Sequence, residues 1–313
     1  MGLGNAAIKL CLELWQRGYF EHINSVIEMG SQELHVTEST FRGLVESAGI
    51  SHYDEKDFPN LNNWPGSPRC SAKAFYKLLG AQEYACIDMG GMHNAVPHDL
   101  NTPLGDESLA GRYDMVTDHC SNSHVFNVGE SYRTIHRLCK PGGLITLMTP
   151  VYGSNGYFNF DVSFYEGMAA ANGYRIIFSS FIITLEKTHT TTEEKRTQAS
   201  VLPKLYDEYH IPLSTDLLST VNWSKNTTTV SICYVFQKQS NEDFRFPYQN
   251  DYMSQVHGNH GYQLQFLPIP PSRTYIPVRP NTKDGLLDGI SVKALARQIL
   301  RRVRRRLTVR NYR

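Results

Sequence analysis

The densest group of side chains able to move protons in this sequence is Asp118-His119-Cys120-Ser121-Asn122-Ser123-His124. Histidine titrates near neutrality, so at physiological pH it can take the proton of a hydroxyl nucleophile. His119 is the first candidate for that base and His124 the second, with Asp118 and Asn122 as polar neighbours. Cys120 lies in the same stretch without surroundings that single it out as a nucleophile. Three further acids stand just before turns: Glu28 in Glu28-Met29-Gly30-Ser31, Asp88 in Asp88-Met89-Gly90-Gly91, and Asp99 in Asp99-Leu100-Asn101. No cluster of His, Cys, Asp or Glu has the spacing of a metal site, so no catalytic metal is expected.

Regular elements must carry these groups. Residues 113–117 form a short apolar run that reads as a strand ending at the acid–base cluster. The helix after it carries Tyr132, Ile135, Leu138 and Cys139 near one face and is stopped by Lys140-Pro141-Gly142-Gly143; residues 144–148 are the next strand. Strand, helix and strand in that order predict a parallel sheet with helices on its faces. In such sheets ligands bind at the carboxyl ends of the strands. Further strands are predicted at 25–29, closed by Gly30, at 84–89, at 95–98 ahead of Asp99, at 174–183 and at 231–236. Helices are predicted at 6–20, 71–79 and 163–171. Residues 184–224 are polar, with a threonine run, and read as an insertion over the active-site face; 241–288 are rich in Pro, Tyr and Asn.

The segments Tyr113-Asp114-Met115-Val116 and Leu138-Cys139-Lys140-Pro141-Gly142-Gly143 resemble the fourth strand and the turn before the fifth strand of class I S-adenosylmethionine-dependent methyltransferases. The resemblance spans about residues 25–237. It implies a doubly wound α/β fold with a mainly parallel, seven-stranded sheet, in which 231–236 is the antiparallel edge strand. It also implies S-adenosyl-L-methionine as cofactor. Glu28, Gly30 and Ser31 then fall in the first cofactor loop, Asp88 on the ribose hydroxyls, Asp99 at the adenine amine, and Asn122 near the methionine end. One departure is plain: Gln32 and Leu34 stand where the family places its later glycines.

The implied reaction is methyl transfer, with an oxygen of a small molecule or glycan as acceptor. The Asn/Asp-Pro-Pro-Tyr type of motif carried by amino-methylating members is replaced by Asp118-His119-Cys120-Ser121. The loop Tyr152-Gly153-Ser154-Asn155-Gly156-Tyr157-Phe158-Asn159 would border the acceptor pocket. A reading from another class competes: a catalytically silent methyltransferase-like scaffold or binding module at a membrane surface. Nicotinamide chemistry is disfavoured because no Gly-x-Gly-x-x-Gly follows a strand.

Composition sets the frame for these readings. The 313 residues, 41% of them hydrophobic, are enough for a sizeable core. The expected organisation is a methyltransferase-like domain over 1–240, an irregular extension over 241–288 and a basic tail over 289–313. Six scattered cysteines without any Cys-x-x-Cys pair indicate a reducing, cytoplasmic compartment. No apolar run reaches the ~18 residues of a membrane span, and the N-terminus has no signal-peptide pattern. The net charge of +1 conceals polarity: residues 289–313 hold nine basic residues and no acid, leaving the body at −8. An acidic body argues against a nucleic-acid grip. In the tail, Val292, Leu295, Ile299, Val303 and Leu307 fall near one helical face among arginines, the pattern of a helix that lies on an anionic membrane surface.

Overall fold

The computed structural model describes residues 2–153, 156–186, 206–213 and 227–248. The basic tail, the extension beyond residue 248 and most of 184–224 lie outside the described residues.

In chain order the elements are β1 (Gly2–Leu3), α1 (Asn5–Gln16), β2 (Ser25–Met29), β3 (Glu33–Leu34), α2 (Glu38–Ser47), α3 (Ala72–Leu78), β4 (Glu83–Ile87), β5 (Tyr113–His119), α4 (Val128–Leu138), β6 (Cys139–Tyr152), α5 (Val162–Asn172), β7 (Arg175–Glu186), β8 (Tyr206–Ile211) and β9 (Thr227–Gln237). Local signals set several boundaries. Thr37, Ser71 and Asp161 each accept a backbone N–H in the first turn of the helix they precede, and Gly173 closes α5 with φ +63°.

Seven strands form one sheet in the order β4-β2-β5-β6-β9-β7-β8. β4, β2, β5 and β6 run parallel; β9 is antiparallel to both β6 and β7, and β8 is antiparallel to β7. The mainly parallel, doubly wound sheet expected from the sequence is therefore present, with two corrections. Residues 95–98 contribute only a single bridge, Ile87 to Val96, because Pro97 has no N–H with which to extend a ladder. The seventh strand is instead β8, from within 184–224. Nor is 231–236 an edge: β9 lies inside the sheet between β6 and β7, which matches the burial of Ile232, Cys233, Tyr234, Val235 and Phe236 in succession.

Alternation along the strands sorts the core into two layers. Val26, Met115, Leu144 and Val235 pack with α1, α2 and α3 on one face. Ile27, Val116, Ile145 and Phe236 pack with α4 and α5 on the other. The Lys140-Pro141-Gly142-Gly143 turn that ends α4 interrupts the β5–β6 pairing between Tyr113 and Met115. Gly142 has φ +81°, and a Cβ on Gly143 would lie 2.8 Å from the Asp114 carbonyl oxygen, so both glycines are required there. Lys140 and Asp114 close the turn with a 2.8 Å ion pair.

One feature is absent from the sequence reading. After Gln32 the chain leaves the sheet, forms β3 and α2, and returns at Ser71, where the Ala72 N–H meets the Gln32 carbonyl at 3.0 Å. The loop after β2 and the start of α3 are thus adjacent in space although about 40 residues separate them in sequence. β1 pairs with β3 beside this excursion. Gly2 and Gly4 serve packing: a Cβ would strike the Glu33 carbonyl oxygen at the first and the Glu208 carboxylate at the second.

Candidate active site

From β2 the chain winds one way across the sheet to β4, and from β5 the other way to β6. The reversal lies between β2 and β5, and the crevice outside their carboxyl ends is where an open α/β sheet receives ligands. Gly30 and Ser31 follow β2, Asp88 follows β4, and Ser121 and Asn122 follow β5.

Three of the expected residues meet there. The Asp88 carboxylate accepts the Ser31 N–H at 3.0 Å and the Gly90 N–H at 2.6 Å, while Ser31 Oγ donates to the Met92 carbonyl at 2.7 Å. Asp88 is half-buried just beyond the carboxyl end of β4, and each of its two oxygens accepts one of these N–H groups. Gly30 has φ +84°, and a Cβ there would collide with Ser121 Oγ. Its conformation and its lack of a side chain let the loops after β2 and β5 touch. Gln32, fully buried, ties them further by donating to the Met29 carbonyl at 3.0 Å and to Ser121 Oγ at 3.1 Å.

Two expected residues sit elsewhere. Glu28 is fully buried beneath the rim. It accepts from Tyr84 Oη at 2.5 Å and Thr117 Oγ1 at 3.3 Å. Burial pushes its carboxyl up to about 8, overriding those hydrogen bonds, so it is neutral at pH 7 and braces the sheet. Asp99 does not end a strand. Its carboxylate accepts the N–H and the side-chain amide of Asn101, at 2.9 and 2.8 Å, and these bonds hold its pKa below the usual carboxylate value.

The Asp118–His124 cluster is divided by the sheet. Adjacent strand residues point to opposite faces, so Asp118 and His119 diverge. His119 stands beside Met148 on the α1 side, 2% exposed, with neither ring nitrogen partnered among the described residues. Burial lowers its pKa to about 4. It is neutral, as a base must be, but shut off from solvent. Asp118 faces the α4 layer, where its Oδ1 accepts the N–H groups of Ser121 at 2.8 Å and Asn122 at 3.2 Å. Burial nevertheless raises it to about 7. Its Oδ2 and the Asn122 side-chain nitrogen are buried without partners among the described residues, while Asn122 Oδ1 accepts from Ser131 Oγ at 2.5 Å. His124, in the turn after β5, is exposed at the rim.

These atoms suit an adenosyl amino-acid cofactor. Asp88 offers a carboxylate for vicinal hydroxyls. Asp118 Oδ2 and Asn122 Nδ2 supply one acceptor and one donor, the complement of an ammonium and a carboxylate. Among the described residues no group of three His, Cys, Asp or Glu side chains could hold a metal ion.

A polar–aromatic knot next to Ser31 escaped the sequence reading. The Arg69 guanidinium pairs with Glu33 at 3.0 Å and lies 5.0 Å over the Trp64 ring, which stacks on His35 at 4.2 Å; His93 reaches Glu33 at 3.3 Å. Burial raises the Glu33 carboxyl, but the bonds from Arg69 and His93 outweigh it and hold it below its usual value. The knot pins the two ends of the 34–70 excursion together. The only sequence signal was Thr37 capping Phe41, Leu44 and Val45 at helical spacing, which marks α2.

No protein-family model matches the chain, and no curated protein matches it. Among solved structures it is similar to the 1,6-didemethyltoxoflavin-N1-methyltransferase of Burkholderia thailandensis with bound 1,6-didemethyltoxoflavin and S-adenosylhomocysteine, at 11% identity over 75% of this chain and 80% of that one, TM-score 0.38. It is also similar to S-adenosylmethionine-dependent methyltransferases from Archaeoglobus fulgidus (12% identity, 74% and 94% covered, TM-score 0.34) and Mesorhizobium loti (10%, 72% and 97%, TM-score 0.34). The fold class rests on strand order and direction, not on these scores. It is the doubly wound α/β class with a mainly parallel, seven-stranded sheet.

Proposed function

We propose that this chain binds S-adenosyl-L-methionine in the crevice outside β2, β4 and β5 and assists transfer of its methyl group to an oxygen of a small molecule or glycan. The observation that carries this reading is the Asp88–Ser31 bond, which sets an acid beside the first loop at the point where the winding of the sheet reverses. When bound, the cofactor supplies an electrophilic methyl carbon and a neutral thioether leaving group. Asp88 would hold the ribose hydroxyls, and Asp118 and Asn122, whose Oδ2 and Nδ2 are buried without partners among the described residues, would hold the amino-acid end. Because the sulfonium is already a good leaving group, the protein mainly aligns the acceptor and excludes water. His124 takes the proton of the acceptor hydroxyl; its exposure at the rim favours it over the enclosed His119.

Isothermal calorimetry with S-adenosylhomocysteine and the full chain tests the reading. Saturable one-site binding is the expected result, and absence of heat at millimolar ligand would overturn it. A second reading, a silent methyltransferase-like binding module, is favoured by one feature: Ser121 Oγ and Gln32 fill the space over Gly30 that the family's loop leaves to the ligand. Binding without turnover across hydroxyl acceptors would select it.

A further inference from the structure

The fold leaves a set of large apolar side chains in solvent at one end of the sheet. Phe126, Met89 and Tyr157 are 77%, 73% and 71% exposed, and Met92, Val96 and Tyr152 are exposed as well. All six stand at or just beyond the carboxyl ends of β4, β5 and β6. The group is constructed from loops that hold one another. The Asn127 N–H and side-chain amide donate to the side-chain and main-chain oxygens of Asn101, each at 2.9 Å, which joins the segment after β4 to the one after β5. The Tyr157 N–H donates to the Ser123 carbonyl at 2.6 Å, which joins the segment after β6 to the one after β5. Across that junction the Phe126 ring meets Tyr157 edge-on at 6.3 Å. Exposed apolar surface collected in one place on a rigid support marks a surface that another molecule covers.

Charge identifies the occupant. The sequence has no Lys or Arg in 88–111, 119–132 or 141–174, the stretches that supply this rim, whereas Asp88 and Asp99 belong to it. A phosphorylated acceptor, a nucleic acid or an anionic headgroup would meet acids and no Lys or Arg from these stretches, and the neighbouring Arg69 is already paired with Glu33. We infer that the rim takes an uncharged, planar aromatic hydroxyl compound, seated against Phe126 and Tyr157 with its hydroxyl toward the crevice. The inference rests on the methyltransferase reading of the same crevice and narrows its acceptor. In the transfer a C–O bond forms while the sulfonium C–S bond breaks, its electron pair going to sulfur; the hydroxyl proton goes to His124.

The test uses the full chain and 2-naphthol, monitored by saturation-transfer NMR with and without S-adenosylhomocysteine. Naphthol should bind the wild type, and Phe126→Ser and Tyr157→Ser should each weaken it by about tenfold. Both positions are exposed, so unchanged circular dichroism and melting temperature are expected alongside. S-adenosylhomocysteine affinity should be the same in these variants as in the wild type. A wild type that binds S-adenosylhomocysteine but not naphthol overturns the inference, as does equal naphthol affinity in both variants. Preference for methyl β-glucoside over naphthol would assign the rim to glycans. Sedimentation with phosphatidylcholine vesicles that Phe126→Ser abolishes would assign it to a membrane. Phe126-dependent naphthol binding in a protein that ignores S-adenosylhomocysteine would support the aromatic site while removing the methyltransferase reading beneath it.

Discussion

The Asp88 carboxylate accepts the backbone N–H of Ser31 at 3.0 Å, which locks the loop after β2 to the end of β4 and leaves an acid on the rim of the crevice. The pairing is local in space and distant in sequence, 57 residues apart. On the proposed reading of the crevice, Asp88 is the side chain on which cofactor affinity should depend most directly.

Asp88→Ala is expected to weaken S-adenosylhomocysteine binding by about 1–3 kcal/mol, from loss of a charge-assisted hydrogen bond and release of the Ser31 and Gly90 N–H groups. Asp88→Asn, which keeps one acceptor oxygen, should lose less. Calorimetry decides; equal affinities in all three proteins would move the ribose site away from β4.

The two histidines should separate by phenotype. His124→Ala is expected to lower turnover by about 10²–10⁴-fold at nearly constant cofactor affinity. His119→Ala empties a buried site and should appear as about 1–3 kcal/mol of lost stability in urea melts. The reverse pattern, with turnover lost through His119, would show that the face against α1 opens during the reaction.

Glu28 should leave a signature in the pH dependence of stability. Its folded pKa of about 8 lies above the value of 4.5 it has when unperturbed. Between those values the folded state holds a proton that the unfolded chain has released. Its contribution is therefore complete below pH 4.5 and is lost as pH rises through 8. The buried His119, lowered to about 4, acts with the opposite sign, adding stability as pH rises from 4 to 6.5. Comparison with Glu28→Gln, which stays neutral, isolates the first effect. Relative to this variant, the wild type should lose a few kcal/mol between about pH 5 and pH 8. Parallel stability curves would mean that Glu28 is ionised in the fold.

Gly30→Ala should destabilise the protein by about 1–3 kcal/mol, because φ is +84° and the new Cβ would collide with Ser121 Oγ. Thermal melts measure it. A neutral substitution would show that the two loops can part, as cofactor entry past Ser121 would require.

Much of the architecture was legible in the residues. The apolar runs at β2, β4, β5 and β6, the amphipathic α4 and the Lys140-Pro141-Gly142-Gly143 turn all form where their patterns indicate, because each is decided by neighbours within a few residues. Asp88 was equally visible, as an acid between an apolar strand and two glycines. The strand at 95–98 was overread, since Pro97 removes the N–H that pairing needs.

The sequence by itself determined where β2, β4, β5 and β6 form and which acids and histidines follow them, since hydrophobic period and turn chemistry are local properties. Only the tertiary structure decided which of those groups share a space. Adjacent Asp118 and His119 face opposite layers because a strand alternates. Glu28 is enclosed because α3 and Tyr84 cover it. The apparently degenerate loop after Gly30 continues into α3 only after the excursion from 34 to 70 has folded back. Each of these depends on contacts between distant residues, and no local pattern encodes a distance across the fold.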